Sequence, residues 1–216
     1  MSDMTMKRVL VALIAAIYMA APALAKTAKV FFIEDSTKVF PLLSKSLRMD
    51  MLDYYVSGQS VELENAFGGK SQLLKATNQY VSVQLSDAHS VEIWVPDTVA
   101  KKSVVVVNYQ YRVPTSDGNI VVYNLVDMSE NIKAFDAPDI TDFISVPKNS
   151  DMNKQEVADK IDIPMISYDI NPDTGEITAS HNLNEFLSQE EYARIEKYMI
   201  KSIRYVWTGK KYKRVK

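Results

Sequence analysis

Apolar and polar residues alternate with a period of two along the middle of the chain, from about residue 60 to residue 126. The alternation is clearest in Val81-Val83-Leu85 and Val91-Ile93-Val95, which flank a short polar turn. A period of two is the spacing of a β-strand with one buried face, and short turns join successive strands as antiparallel neighbours. The pattern therefore predicts an antiparallel meander that continues through residues 103–113 and 120–126.

Before the meander, apolar residues recur at helical spacing over residues 43–55, and Gly58 is placed to end the helix. This helix carries Leu43, Leu47, Met51 and either Tyr54 or Tyr55 on one face, and we expect it to cover the apolar face of the sheet. The apolar run at residues 30–33 predicts a first strand.

The C-terminal part of the chain predicts a hairpin, a helix and a second hairpin. Turn chemistry at residues 171–175 separates the strands at 163–170 and 177–180. Ser188 and Glu191 form a capping box that starts the helix, with Leu187 positioned to pack on Tyr192, while Tyr192, Ile195 and Met199 give the helix a buried face. Strands at 203–207 and 212–215 then flank a turn at Thr208-Gly209.

These elements predict an α+β fold, in which an antiparallel sheet meander is packed by helices. The fold is either one extended domain or two small α+β lobes. The expected division is a signal peptide at residues 1–25, an N-terminal lobe of helix and antiparallel sheet at 26–126, and a C-terminal part at 127–216. That last part begins with an acidic connection over residues 127–150, which shows no sustained period.

The first 25 residues have the pattern of a secretory signal peptide. Lys7-Arg8 precedes an apolar run at 9–21, and Ala23-Leu24-Ala25 supplies the small residues that a signal peptidase needs. The alternative, a retained membrane anchor, is disfavoured because residues 9–25 reach only the lower limit for spanning a bilayer. The chain has no cysteine, so it carries no lipid anchor on Cys and no disulfide. We expect a soluble exported protein, either periplasmic or secreted.

Charge falls into three blocks that the overall net charge of −2 conceals. Residues 26–126 are balanced, residues 127–196 carry 5 basic and 16 acidic side chains, and residues 197–216 carry 8 basic side chains and no acidic one. The basic block predicts a binding surface for an anionic glycan or an envelope lipid. Its structural alternative is that the basic residues pack beside the acidic block or protect a sheet edge.

The predicted ligand-binding residues combine this basic block with aromatic residues in predicted strands. They are Trp94, Trp207, Lys210, Lys211, Lys213 and Arg214. Aromatic rings on an exposed sheet face hold sugars or peptides, whereas the structural alternative places most of these rings in the core. Nucleic acid is not an expected partner, because no recognition motif accompanies the lysines.

The sequence offers little for catalysis. The two histidines, His89 and His181, have no nucleophile at a suitable spacing, and no nucleophile elbow, zinc-protease, phosphate-loop or dinucleotide motif is present. We therefore predict no catalytic residue, no metal ligand and no cofactor. The expected function is a non-enzymatic binding or envelope-accessory module, and the alternative is a hydrolase that acts on glycans through a carboxylate pair. A structural subunit that pairs through a sheet edge is a third hypothesis.

Several short segments resemble an uncharacterised family of small exported proteins from Bacteroidetes-type bacteria. They are residues 41–45, 48–53 and 65–71, the turn from Leu85 to Glu92, and Trp207-Thr208-Gly209-Lys210-Lys211-Tyr212 near the end. The likeness covers most of residues 35–126 and the C-terminal hairpin, and is weaker across the acidic block. It implies a bacterial exported α+β protein and carries no activity, cofactor or active-site residue.

Overall fold

The computed structural model describes residues 27–34, 39–96, 104–112 and 114–215. The expected signal peptide lies outside the described residues. Two antiparallel sheets, of six and four strands, combine with short helices, and this confirms the predicted α+β fold.

The helices are α1 (Ala28–Glu34), α2 (Lys45–Val56), α3 (Lys154–Ala158), α4 (Leu183–Phe186) and α5 (Gln189–Ile195), with 3₁₀ turns at Ile140–Phe143 and Glu196–Tyr198. The first sheet contains β1 (Glu62–Glu64), β2 (Lys70–Ala76), β3 (Tyr80–Ser86), β4 (His89–Trp94), β5 (Val104–Tyr111) and β6 (Asp117–Asn124). The second contains β7 (Ile166–Ile170), β8 (Ile177–His181), β9 (Ser202–Trp207) and β10 (Tyr212–Arg214). Every strand pairs with its sequence neighbour within its own sheet, so the predicted meander and both predicted C-terminal hairpins are confirmed.

The predicted strand at residues 30–33 is wrong, because these residues belong to α1. The buried residues of this helix are Ala28, Phe31 and Phe32, which have the i, i+3, i+4 spacing of a helical face. The hydroxyl of Thr27 accepts a hydrogen bond from the Val30 backbone N–H and satisfies one of the free donors of the first turn. Residues 30–33 are all apolar, so they show no helical period by themselves. The period becomes visible only when the flanking residues are included.

The predicted helix over residues 43–55 is confirmed as α2, with a later start. Ser44 is its N-cap and accepts from the Leu47 N–H, and Gly58 follows the helix at φ +76°. Arg48 is completely buried in this helix. Its guanidinium donates to the carbonyl oxygens of Leu43 and Ile33, which joins the end of α1 to the start of α2.

The first sheet is the middle layer of the fold. One of its faces packs on α1 and α2 through a core that includes Phe32, Met51 and Val83. Its other face packs on the second sheet, where Trp94 and Tyr80 share a core with apolar residues of β7 to β10. A third, smaller core lies under the helices of the C-terminal part.

The free edge of β7 is covered by side chains of the first sheet. Asp117 accepts a hydrogen bond from the Ile166 N–H at 3.2 Å. The carbonyl of Tyr168 accepts from the side-chain amides of Asn108 and Gln110 at 2.8 and 3.0 Å. Since these backbone groups are already paired, the β7 edge offers no ladder for a partner strand.

The acidic connection is confirmed as a segment with little regular structure, and it runs past two further sheet edges. The backbone N–H of Asn131 donates to Val122 on β6, and the carbonyl of Ala134 accepts from Tyr212 on β10. The connection therefore covers an edge of each sheet.

The capping box at Ser188 and Glu191 is confirmed, and it begins α5. The helix is shorter than its apolar pattern suggests, because it ends at Ile195 and passes into the 3₁₀ turn. Met199 lies beyond the helix in extended backbone and forms an isolated bridge with Ile144.

Candidate functional site

The hairpin formed by β9 and β10 ends in a tight turn that carries two of the predicted binding residues. The backbone N–H and the hydroxyl of Thr208 both donate to the Lys211 carbonyl, at 3.0 and 2.7 Å. Gly209 has φ +85°, a conformation that favours glycine. Lys210 and Lys211 are exposed at this turn, so their ammonium groups are accessible to a partner.

The basic block divides into paired and unpaired side chains. Three of its members have an acidic partner: Lys197 with Asp151 at 3.0 Å, Arg204 with Glu176 at 3.4 Å and Arg214 with Asp142 at 3.2 Å. Lys201, Lys210, Lys211 and Lys213 form no ion pair with any described residue. We call the last three, which lie on the hairpin, the lysine cluster.

Arg214 thus differs from the three lysines with which it was predicted to act. Its guanidinium also donates to the Asp142 carbonyl oxygen at 3.3 Å, so it holds the end of β10 against the acidic connection. Packing beside the acidic block therefore describes Arg214 and not the lysine cluster, while Lys213 lies on β10, an edge strand of the second sheet, as the edge-protection alternative requires.

The two predicted tryptophans have different environments. Trp207 is half-buried on the hairpin, and its ring lies 5.2 Å from the ring of Tyr212. Trp94 is only 5% exposed and belongs to the core between the sheets. Trp207 precedes the turn that carries Lys210 and Lys211, but it faces the core side of the sheet with Ile203 and Tyr205, whereas Lys213 lies on the outward face. Trp94 is inside the molecule and does not belong to an exposed surface.

Trp94 packs directly under the turn between β7 and β8. A Cβ atom at Gly175 would overlap the six-membered ring of Trp94, so the turn closes on the ring only because this residue is glycine. The Tyr212 hydroxyl donates to the Gly175 carbonyl at 2.9 Å, which fixes β10 over the same turn.

The two histidines lie in different sheets, His89 on β4 and His181 on β8, and each packs on an aromatic ring. His181 is buried beside Phe143, with ring centroids 5.7 Å apart, and burial lowers its pKa. His89 stacks on Tyr111 with ring centroids 4.8 Å apart, and burial lowers its pKa as well. Burial favours the neutral form of both rings.

Glu92 is a polar group that sequence reasoning missed. Its carboxylate accepts from the Tyr80 hydroxyl at 2.7 Å and from the Asn108 amide at 2.9 Å, between the two sheets. Burial raises the pKa of Glu92, while these hydrogen bonds offset part of that effect and the nearby charge of Asp169 adds to it. A signal was present in the alternation, because Glu92 has the same parity as the buried Trp94 and so faces the same side of the sheet.

Within the described part of the chain, no cluster of three or more His, Cys, Asp or Glu side chains is arranged to hold a metal ion. Among the same residues, no helix is both long and apolar enough to cross a membrane.

Comparison with known proteins gives a structural likeness and a family. No curated protein matches the chain. A solved domain of an uncharacterized protein from Porphyromonas gingivalis W83 is similar, with a TM-score of 0.72 and 17% identity over 85% of this chain and 96% of that one. At this identity the likeness shows a shared fold. The model of the family DUF3256, described as a protein of unknown function, matches residues 20–212, and the chain belongs to this family.

Proposed function

We propose that this protein is a non-enzymatic binding module of the bacterial envelope, exported to the periplasm or the outside, that binds an anionic glycan or lipid through its C-terminal hairpin. The observation that carries the proposal is the lysine cluster, which forms no ion pair with any described residue, whereas Lys197, Arg204 and Arg214 are paired. Export is supported by the signal-peptide pattern of residues 1–25.

The position of the lysine cluster suits a binding role better than a structural one. A lysine that stabilises a fold is expected to neutralise an acidic group, and on this hairpin Arg214 does so beside Asp142. Like charges close together at a turn repel each other, and an anion relieves this repulsion. Three such groups therefore create a local positive potential although the whole chain is negatively charged.

Val206 adds an apolar contact beside these charges. It is exposed and lies directly opposite Lys213 in the ladder, so the outward face of the hairpin offers apolar surface next to an ammonium group. Trp207 lies on the other face, where its ring packs on the ring of Tyr212 and supports the hairpin from the core side.

Glu92, the buried carboxylate with a raised pKa, is not suited to the catalytic role that the alternative hydrolase requires. A catalytic carboxylate must reach a substrate, whereas this carboxylate already accepts hydrogen bonds from Tyr80 and Asn108. Both partners lie on strands of the first sheet, so we assign Glu92 to joining neighbouring strands of that sheet.

The proposal is tested by measuring retention on immobilised heparin and on phosphatidylglycerol vesicles. Changing Lys210, Lys211 and Lys213 together to Gln should abolish most retention on at least one of the two. The matched control changes three exposed lysines elsewhere, Lys133, Lys148 and Lys160, to Gln and alters the net charge equally. Equal retention of the two variants would contradict the proposal, because overall charge rather than the hairpin would then control binding.

A further inference from the structure

A polar cleft with a volume of about 180 Å³ lies where β7 and β8 meet the hairpin of β5 and β6. Hydroxyl, amide and carboxylate groups dominate its walls. The lining residues that matter for its chemistry are Gln110, Tyr111, Asp117, Asp169, Thr178 and Ser180. The cleft is the size of a single sugar residue.

Several of these polar groups retain hydrogen-bonding capacity. The carboxylate of Asp169 and the hydroxyls of Thr178 and Ser180 form no hydrogen bond with any described residue. One oxygen of Asp117 accepts from Ile166, which leaves the second oxygen available toward the cleft. Donors and acceptors that converge in a concave site without internal partners are suited to a ligand rich in hydroxyl groups.

Tyr111 is also among the residues that line the cleft. Tyr111 is 46% exposed, and it stacks on His89 with an angle of 11° between the ring planes. The stack fixes the orientation of the tyrosine ring. A sugar residue presents both C–H groups, which pack on an aromatic ring, and hydroxyls, which bind to the polar walls.

The charge of the cleft defines the ligand further. Its lining includes two carboxylates, Asp117 and Asp169, and no lysine or arginine. An anionic group is repelled here, whereas a hydroxyl donates favourably to a carboxylate. The cleft is therefore complementary to a neutral sugar and not to the anionic groups that the lysine cluster attracts.

The cleft and the hairpin lie on one face of the second sheet. Asp169 on β7 is opposite Thr178 on β8, which is opposite Arg204 on β9. Lys213 on β10 shares this face, since it is opposite Val206, two residues beyond Arg204. Three strand spacings separate β7 from β10, about 14 Å, which a short oligosaccharide spans.

We propose that the cleft binds a neutral sugar residue, and that the ligand of this protein is a polysaccharide whose anionic groups contact the lysine cluster. The first part stands on the cleft itself, and the second rests on the proposed function of the hairpin. The proposal selects a glycan over a lipid, because the side chains of the cleft match hydroxyl groups and offer little apolar surface.

The test uses an array of neutral and uronate-containing oligosaccharides, followed by calorimetry with the best neutral and the best acidic one. Asp169→Ala and Tyr111→Ala should each weaken binding of the neutral oligosaccharide at least tenfold. Asp173→Ala is the matched control, since it removes the same group from the β7–β8 turn outside the cleft. Circular dichroism establishes that each variant is folded.

The two proposals fail in different ways. If the array shows no neutral ligand, or if Asp169→Ala and Tyr111→Ala bind it as tightly as the wild type, the cleft proposal is wrong while the hairpin is unaffected. If changing the lysine cluster to Gln leaves binding of the acidic oligosaccharide unchanged, the hairpin proposal is wrong. Loss of neutral binding in the cleft variants, with neutral binding intact in the lysine variant, supports the cleft.

Discussion

Replacing Gly175 with alanine tests how the second sheet is held against the first. Gly175 has φ +67°, and an alanine in this conformation costs about 1–2 kcal/mol. The added Cβ would also overlap the ring of Trp94, which must then move within a packed core at a cost of about 1–3 kcal/mol. The free energy of unfolding should therefore fall by about 2–5 kcal/mol.

Two other glycines separate these contributions. Gly58 and Gly209 also have positive φ, but a Cβ at either would meet nothing within 4 Å. Urea unfolding of all three alanine variants should show a loss of about 1–2 kcal/mol for Gly58→Ala and Gly209→Ala, and a larger loss for Gly175→Ala. Tryptophan emission of folded Gly175→Ala should also shift as Trp94 moves. Equal losses in all three variants would refute the packing of Trp94 under this turn.

Three further predictions concern buried polar groups. Burial raises the pKa of Glu92 in the folded state, so the contribution of Glu92 to stability is present below the ordinary Glu pKa of about 4.3 and is lost as pH rises through the folded value. Glu92→Gln should therefore make the unfolding free energy, measured with urea, depend less on pH over that range. Parallel pH profiles of the wild type and the variant would contradict this. His181→Leu should raise the midpoint of urea unfolding, most strongly below pH 6, because both ring nitrogens are buried without a described partner, and a lower midpoint would count against it. Arg48→Met should lower the unfolding free energy by about 2–4 kcal/mol, since the buried carbonyl of Leu43 and the partly buried carbonyl of Ile33 lose their donor. A loss below about 1 kcal/mol would show that other groups satisfy them.

Local patterns predicted most of the strands and helices because each depends on neighbouring residues. The meander follows from alternation, and the start of α5 follows from the capping box at Ser188. The error at residues 30–33 has the same origin, since four consecutive apolar residues fit a strand or a helix equally well. Thr27 and Ala28 carried the missing information, as a cap and as the first residue of the buried face.

The candidate sites depend on contacts that no local pattern reveals. The hairpin and its lysines were visible in the sequence, but the pairing of Arg214 with Asp142 joins β10 to the acidic connection, which is distant in sequence. Trp94 was assigned to a binding surface because alternation identifies the two faces of a sheet without showing that a second sheet covers one of them. The cleft combines residues of β5 to β8, and its shape follows from how the two sheets meet.

We propose that the lysine cluster binds an anionic partner directly. The dependence of heparin affinity on salt concentration tests it, because each ammonium group that contacts an anion makes binding more sensitive to screening. The wild type and the Lys133, Lys148 and Lys160 control should lose affinity steeply as salt rises, while the variant with Gln at 210, 211 and 213 should bind weakly with a shallow dependence. The same steep dependence in all three proteins would contradict the claim.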